Sequence, residues 1–428
     1  MDITLIPTKL NGTIIARPSI TYSLLHSICQ ALALYQSRIG VTDRETSGAA
    51  NVRDYKRLPG CWSEDLDIIL QCFDALPGDA PTLYCGDNQN AFHMMLPIAA
   101  AAKQKVSFTG SGEFSNSTLL PVVDVLKRRG VDFSKGSLKI KRKERDRIHE
   151  ICTLTHRVEY GSVSLTGRED PRFVAGLLLA LPLLEGNSSL RMTTMPESME
   201  LPDMAISVLR QYGVAILRSV DDYGYPYYDI PGNQRFHIPE TAGLEGDWTR
   251  ASFWLGCGAL GGNVTVRGLS GDSKQTARQI LDKLHSLGAG TGQGTDSANA
   301  ISGKLQGCNI NASRIPDLVP ILSVVMAHAQ GSSMLTGINT EEYESVFRAL
   351  DAFGADVTDG GSCFSFTGRA ILSGGEINAG GDPDIVLMAT AISCISRMPV
   401  TIRGAGVINK KYPAFFADYL ALGGKIEK

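Results

Sequence analysis

The sequence predicts an α/β protein of two domains assembled from repeated βαβαββ-like units, and three observations carry that prediction. The first is self-similarity along the 428 residues: apolar helical run, polar break, β-rich stretch, amphipathic helix, Gly, second β-rich stretch. The second is a glycine at the end of successive amphipathic helices, at Gly130, Gly213, Gly288 and Gly354, where a positive φ closes the helix. The third is length, about two to three times a typical domain of roughly 100–200 residues.

Taken in chain order, the first unit is the loosest, running from TYSLLHSICQALAL to LDIILQCFDALPG. Residues 35–62 form a polar, Gly-containing insertion inside it. The second unit reads AFHMMLPIAAAAKQKVSFTG and then TLLPVVDVLKRRGVDF. Its Val122, Val123, Leu126 and Val131 recur near helical spacing and give a one-sided helix. The third holds RFVAGLLLALPLL, apolar nearly all round and therefore buried. RASFWLGCGALGGNVTVRGL opens the fourth, and VFRALDAFGADV and FFADYLALGGKIE end the last two. The basic run Lys139 to Arg147 reads as a solvated strand edge, with an anion-binding patch as the alternative.

Composition narrows the function classes. Hydrophobic residues at 43% and charged residues at 20% suit buried cores and exclude a disordered chain. Lys+Arg 41 against Asp+Glu 44 leaves a net charge of −3, without the basic excess of a general nucleic-acid binder. No secretory pattern opens the chain, and the longest apolar run, Phe173 to Leu184, is too short for a membrane span. Nine cysteines without a CxxC pair point to reduced, buried thiols in a cytoplasmic protein. His26, His285 and His328 read as core or boundary residues, and Trp62, Trp248 and Trp254 as packing.

Several short strings, in order, resemble the enolpyruvyl transferases, and within them the EPSP synthases (3-phosphoshikimate 1-carboxyvinyltransferases). They are Ser63-Glu64-Asp65, Gly246-Asp247-Trp248-Thr249-Arg250-Ala251-Ser252-Phe253, Ile315-Pro316-Asp317, and Pro399-Val400-Thr401-Ile402 followed by Lys410 and Tyr412-Pro413. The resemblance implies a two-domain inside-out α/β barrel of six repeats, three per domain. Domain I would comprise residues 1–18 plus 243–428 and domain II residues 19–242. A small-molecule ligand would bind in the cleft of a monomer, with no cofactor, metal, nucleic acid or membrane. The implied reaction moves the enolpyruvyl group of phosphoenolpyruvate onto the 5-hydroxyl of shikimate 3-phosphate, in aromatic amino-acid biosynthesis. The sister enzyme acting on UDP-N-acetylglucosamine carries a Cys in the loop corresponding to Thr109–Pro121, and this chain has none there.

Both substrates are polyanions, which requires lysines and arginines, and here the sequence departs from the family. Ser-Lys-Ser-x-Ser-x-Arg corresponds to Ser19-Ile20-Thr21-Tyr22-Ser23-Leu24-Leu25, keeping hydroxyls and losing both cations. Gly-Asn-Ala-Gly-Thr-Ala-x-Arg corresponds to Gly86-Asp87-Asn88-Gln89-Asn90-Ala91-Phe92-His93. Arginines expected after Thr-Gly fall on Glu113 and Ser117, and Ser-Ser-Gln becomes Asp170-Pro171-Arg172. Leu201 replaces a Tyr, while Ser198 and Asp203 remain. The Lys-Glu-Ser-Asp-Arg loop becomes Ile338 to Glu342, and Asp-His-Arg-Met becomes Asp382-Pro383-Asp384-Ile385. Candidate catalytic residues are therefore Asp317, as base, and Lys410, as anion contact. Candidate ligand residues are Ser19, Thr21, Asp87, Asn90, His93, Arg172, Ser198, Arg250, Glu342 and Asp384.

Three of these assignments have alternatives. Arg172, Arg250, Lys410 and His93 either rebuild a smaller anion site, or Arg250 pairs with Asp247 and Arg172 with Asp170 or Glu169. Asp317 is either the base or the N-cap of a helix starting at Leu318. The replaced cations set the family's carboxyvinyl transfer against a second reading, a non-catalytic relative binding a less anionic ligand or a protein partner.

Overall fold

The computed structural model describes residues 1–39, 63–111, 116–135, 148–196, 198–240, 243–368 and 371–427. Most of the 35–62 insertion, Glu113, the Lys139–Arg147 run and Trp62 lie outside the described residues. Internal packing divides the chain into two compact units, Met1–Pro18 with Glu245–Lys428, and Ser19–Leu244. We call them the split and the continuous unit.

Twelve helices are described. In the continuous unit they are α1 (Ile20–Ile39), α2 (Glu64–Ala75), α3 (Gln89–Ala102), α4 (Asn116–Lys127), α5 (Pro171–Ala180) and α6 (Glu200–Gln211). The split unit holds α7 (Trp248–Ala259), α8 (Ile280–Ser286), α9 (Val319–His328), α10 (Glu344–Ala352), α11 (Pro383–Ser393) and α12 (Phe415–Ala421). One helix of each pair is apolar all round. Phe173 through Ala180 of α5 are all buried, as are Ala91 through Ala101 of α3. The partner helix is amphipathic and ends at a glycine with positive φ: Gly130 at 84°, Gly213 at 78°, Gly288 at 96° and Gly354 at 76°.

Five four-stranded sheets are found among the described residues, and all share one pairing scheme: a parallel pair followed by two antiparallel pairs. Thr82–Tyr84, Lys105–Gly110, His149–Thr155 and Asp132–Lys135 give one such order. The N-terminal segment completes the other half of the chain. Ile3–Ile6 lies between Val400–Arg403 and Lys425–Glu427, and Asn11–Ile15 runs parallel to Asn263–Arg267. This threading makes the split unit discontinuous in sequence, and each unit has its own hydrophobic core.

Candidate functional site

The split unit carries a small open pocket, of about 40 Å³, where α7, α9 and α11 converge with the Lys411–Tyr412 turn. Its floor is apolar, from Phe253, Pro320, Ile321, Leu387, Met388 and Ala391. Its polar lining comprises Thr249, Arg250, Ser252, Asp317, Asp384, Lys411 and Tyr412. Each polar group has a local reason for its place. Asp247 caps α7 by accepting the Arg250 amide at 2.9 Å, and Asp382 caps α11 through the Asp384 amide at 2.8 Å.

Arg250 is held on three sides. Its Nε lies 3.6 Å from an Asp247 carboxylate oxygen, its Nη2 donates to the Lys411 carbonyl at 2.8 Å, and its guanidinium sits 5.3 Å above the Tyr412 ring centre. Burial pushes the Asp247 carboxyl above its ordinary value, and Asp317 adds to that, while the Arg250 charge opposes it. Trp254 donates to the Tyr412 hydroxyl at 2.9 Å, which donates to Asp418 at 2.5 Å. Burial first, then Asp418, raises the Tyr412 pKa.

Asp317 lies in a short 3-10 turn, Pro316–Leu318, with its carboxylate accepting the Thr249 hydroxyl at 3.4 Å. It caps no helix, because Val319 begins α9 without a side-chain cap; the side chain lines the pocket instead. Lys411 Nζ lies 2.5 Å from Asp384 Oδ1. Lys410, the anion contact expected from the sequence, is exposed and does not line the pocket. The two lysines straddle the end of a 3-10 helix, Ala405–Lys410, where one residue is roughly a third of a turn. Glu342 is exposed and accepts from Asn339 at 3.2 Å. Its charge, together with those of Asp317 and Asp384, acts on Tyr343, whose pKa is raised by burial first and then by all three.

The remaining candidates belong to the continuous unit. Ser19 and Asn90 are part of local hydrogen-bond sets: Ser19 accepts the Tyr22 amide at 3.4 Å at the start of α1, and Asn90 donates to Asp65 at 3.3 Å. Asn88, the N-cap of α3, donates to the same carboxylate at 2.5 Å. His93 is 2% exposed, with Nδ1 3.0 Å from Asp170 Oδ2. Arg172 lies 3.2 Å from that oxygen, and its amide is capped by Asp170 at 2.8 Å. Burial would raise the Asp170 carboxyl, but the His93 hydrogen bond, the Arg172 amide and both charges outweigh it and lower the pKa. Ser198 is exposed and accepts the Glu200 amide at 3.4 Å at the start of α6. Thr21 is half-buried and Asp87 exposed. Trp248 and Trp254 are fully buried, so both pack the core. His26 is buried and His328 half-buried, whereas His285 is exposed on α8.

A family model of EPSP synthase (3-phosphoshikimate 1-carboxyvinyltransferase) matches residues 72–419. The chain belongs to the EPSP synthase family. It is 28% identical to the 3-phosphoshikimate 1-carboxyvinyltransferase of Clostridium kluyveri over 429 residues, covering 99% of this chain and 97% of that one. The enzyme of that name from Clostridium novyi is 27% identical over 452 residues, covering 100% and 98%. The fold matches EPSP synthase from Acinetobacter baumannii with a TM-score of 0.73 at 16% identity, covering all of both chains. It also matches the enolpyruvyl transferase NikO from Streptomyces tendae with a TM-score of 0.67 at 16% identity, covering 100% and 98%. No helix among the described residues is long and apolar enough to cross a membrane. Within this family fold, Arg250, Arg172 and Lys411 each lie beside a carboxylate of their own unit. The pairing alternative for Arg250 and Arg172 is thus the arrangement present.

Proposed function

We propose that the protein is a carboxyvinyltransferase that moves the carboxyvinyl group of phosphoenolpyruvate onto the 5-hydroxyl of shikimate 3-phosphate and releases phosphate. Membership of the EPSP synthase family across most of the chain carries this reading. The chemistry is an addition followed by an elimination. A proton adds to the methylene carbon of phosphoenolpyruvate while the acceptor oxygen bonds to its C2. The C2–O bond to phosphate then breaks, and a methyl proton leaves to restore the vinyl group. Asp317, on the rim of an apolar pocket, suits removal of the acceptor hydroxyl proton. Lys410, at the family's position, is the cation that would face the anionic donor, and Lys411 beside it would join once freed from Asp384. Ser19, Thr21, Asp87, Asn90, His93, Arg172 and Ser198 are the ligand candidates of the continuous unit, and the setting is cytoplasmic.

A second reading is favoured by one observation: of the side chains that could replace the lost cations, Arg250 and Arg172 are already paired with Asp247 and Asp170, and Lys411, beside Lys410, is paired with Asp384. Breaking the half-exposed Arg172 and Lys411 pairs costs about 0–1 kcal/mol each, and the more buried Arg250–Asp247 pair costs more. On that reading the chain is a non-catalytic relative binding a less anionic small molecule. Phosphate-release assays with both substrates, joined to calorimetry, separate the two. Turnover that falls at least about 100-fold in Asp317→Ala and Lys410→Ala supports the transferase. No heat of binding and no phosphate at millimolar substrate supports the second reading.

A further inference from the structure

The repeat leaves an opening at the same place in both units, where an all-apolar helix ends beside the exit of the third strand of its repeat. In the split unit it measures about 520 Å³, at the ends of α7 and α9, and Gly303, two residues past the strand Ser297–Ile301, lines it. No lysine, arginine or carboxylate does. In the continuous unit the counterpart measures about 290 Å³, at the end of α3 beside α1. Here Arg157, two residues past the strand His149–Thr155, takes the place of Gly303, and Arg235 joins it from the segment after the strand Pro226–Ile230. No carboxylate lines this opening. Glu159 and Glu185 line a neighbouring one that shares Arg157, but the Arg157 Nε and Nη2 donate to the Ala101 carbonyl instead, at 2.9 and 2.7 Å.

The segment that presents Arg235 is tied down. Asn233 holds a φ of 52°, uncommon outside glycine, and its amide donates to the Leu184 carbonyl at 2.5 Å. The Gln234 amide donates to the Pro182 carbonyl at 2.9 Å. Gln36 of α1 accepts the Phe236 amide at 2.9 Å and donates to the Gln234 carbonyl at 2.8 Å. The side chains of Asn233 and Arg235 themselves are exposed, line the opening and have no partner among the described residues. A third cation is near, since Lys103 Nζ lies 6.0 Å from the ring centre of Tyr35, which also lines the opening. The carbonyls that end α3 would repel an anion, but Arg157 covers that of Ala101 and the Tyr35 hydroxyl donates to that of Ala102 at 3.2 Å. We infer that this opening binds the phosphate group of a small molecule, with Arg157 and Arg235 on its oxygens and the Asn233 side-chain amide as a further donor. Two guanidiniums from separate segments suit a tetrahedral dianion, whereas a single planar carboxylate fills one guanidinium fork. Asn90 and His93, candidates for the reaction itself, stand at the other end of α3, roughly 15 Å along the helix. The site is therefore separate from theirs and holds on either reading of the function.

Two-dimensional NMR of the full chain near neutral pH tests the assignment, read at the arginine Nε–H signals and at the amides of residues 233–236. The probes are inorganic phosphate and acetate, with chloride holding the ionic strength constant. Phosphate should shift the Arg157 and Arg235 signals saturably, with half-saturation below about 10 mM, and acetate should bind at least about tenfold more weakly. Arg235→Gln removes a side chain bonded to nothing and keeps every bond of its segment, so it should fold and weaken phosphate about tenfold or more. Arg210→Gln, at an exposed position on α6, should change nothing. The assignment is overturned by shifts that do not saturate, by chloride reproducing them, or by acetate binding more tightly than phosphate. Undiminished phosphate binding in Arg235→Gln, or phosphate that shifts the Arg172 signal and leaves Arg157 and Arg235 unmoved, overturns it equally.

Discussion

Arg250 and His26 show how single side chains set the properties of this chain. Arg250 stands one helical turn from Asp247, whose carboxyl is largely buried and already raised in pKa by that burial. Arg250→Ala should destabilise the protein by about 3 kcal/mol, because it strands that carboxyl. Arg250→Lys should recover part of the loss, since an ammonium restores the charge but not the flat stack on Tyr412. Urea denaturation of the three proteins checks the order. His26 is 1% exposed, and neither ring nitrogen has a partner among the described residues. Burial pushes its pKa from 6.5 down to about 4. The unfolded chain therefore binds a proton below about pH 6.5 that the folded chain refuses until about pH 4. Stability should fall by on the order of 3 kcal/mol as pH drops through that window, and His26 should add no further change below it. His26→Leu should flatten the curve, as denaturation at pH 4, 5 and 7 would reveal.

At the scale of elements, buried helices pack closely through glycine. Gly176 lies in α5, and a Cβ there would sit 2.6 Å from the Met94 carbonyl oxygen of α3 and 2.7 Å from Pro97. Helix propensity alone favours Ala over Gly by about 1 kcal/mol. Packing wins here: Gly176→Ala should instead cost about 1–3 kcal/mol, because a backbone atom cannot rotate away. In the other unit a Cβ at Gly256 of α7 would meet the Ile321 side chain of α9 rather than backbone. A thermal melt of Gly176→Ala showing a raised midpoint would contradict this account. The same scale shows what was readable in the sequence. The glycines closing amphipathic helices and the all-apolar helices appear as written, because backbone conformation and apolar periodicity are local. Ser63 likewise caps α2, accepting the Leu66 amide at 3.2 Å. The site was only partly readable. Asp317, Arg250 and Asp384 do share one pocket, but that Lys411 lines it and Lys410 does not depends on the rotation of one short turn. Tyr343 beside the three carboxylates gave no sequence signal at all.

For the whole molecule, the two cores have no residue in common. Leu178→Ala in the continuous unit and Leu322→Ala in the split unit each empty a fully buried position. Each should cost about 2–5 kcal/mol. Calorimetric unfolding should then show two transitions, with each variant lowering only one of them. A single transition lowered equally by both would mean that the cores unfold as one.

The sequence by itself determined the repeat, its α/β class and the family, because these rest on periodic burial and on motifs that survive in order. It also registered that cations had been lost from family positions. Only the tertiary structure decided what the remaining charges do. Arg172 and Arg250 stand near Asp170 and Asp247 in the chain, yet whether neighbours pair or point into a pocket depends on helix starts and rotamers that residue type does not specify. Lys411 and Asp384 are 27 residues apart. Their 2.5 Å contact exists because α11 and the turn after the next strand converge, and no local pattern encodes that meeting.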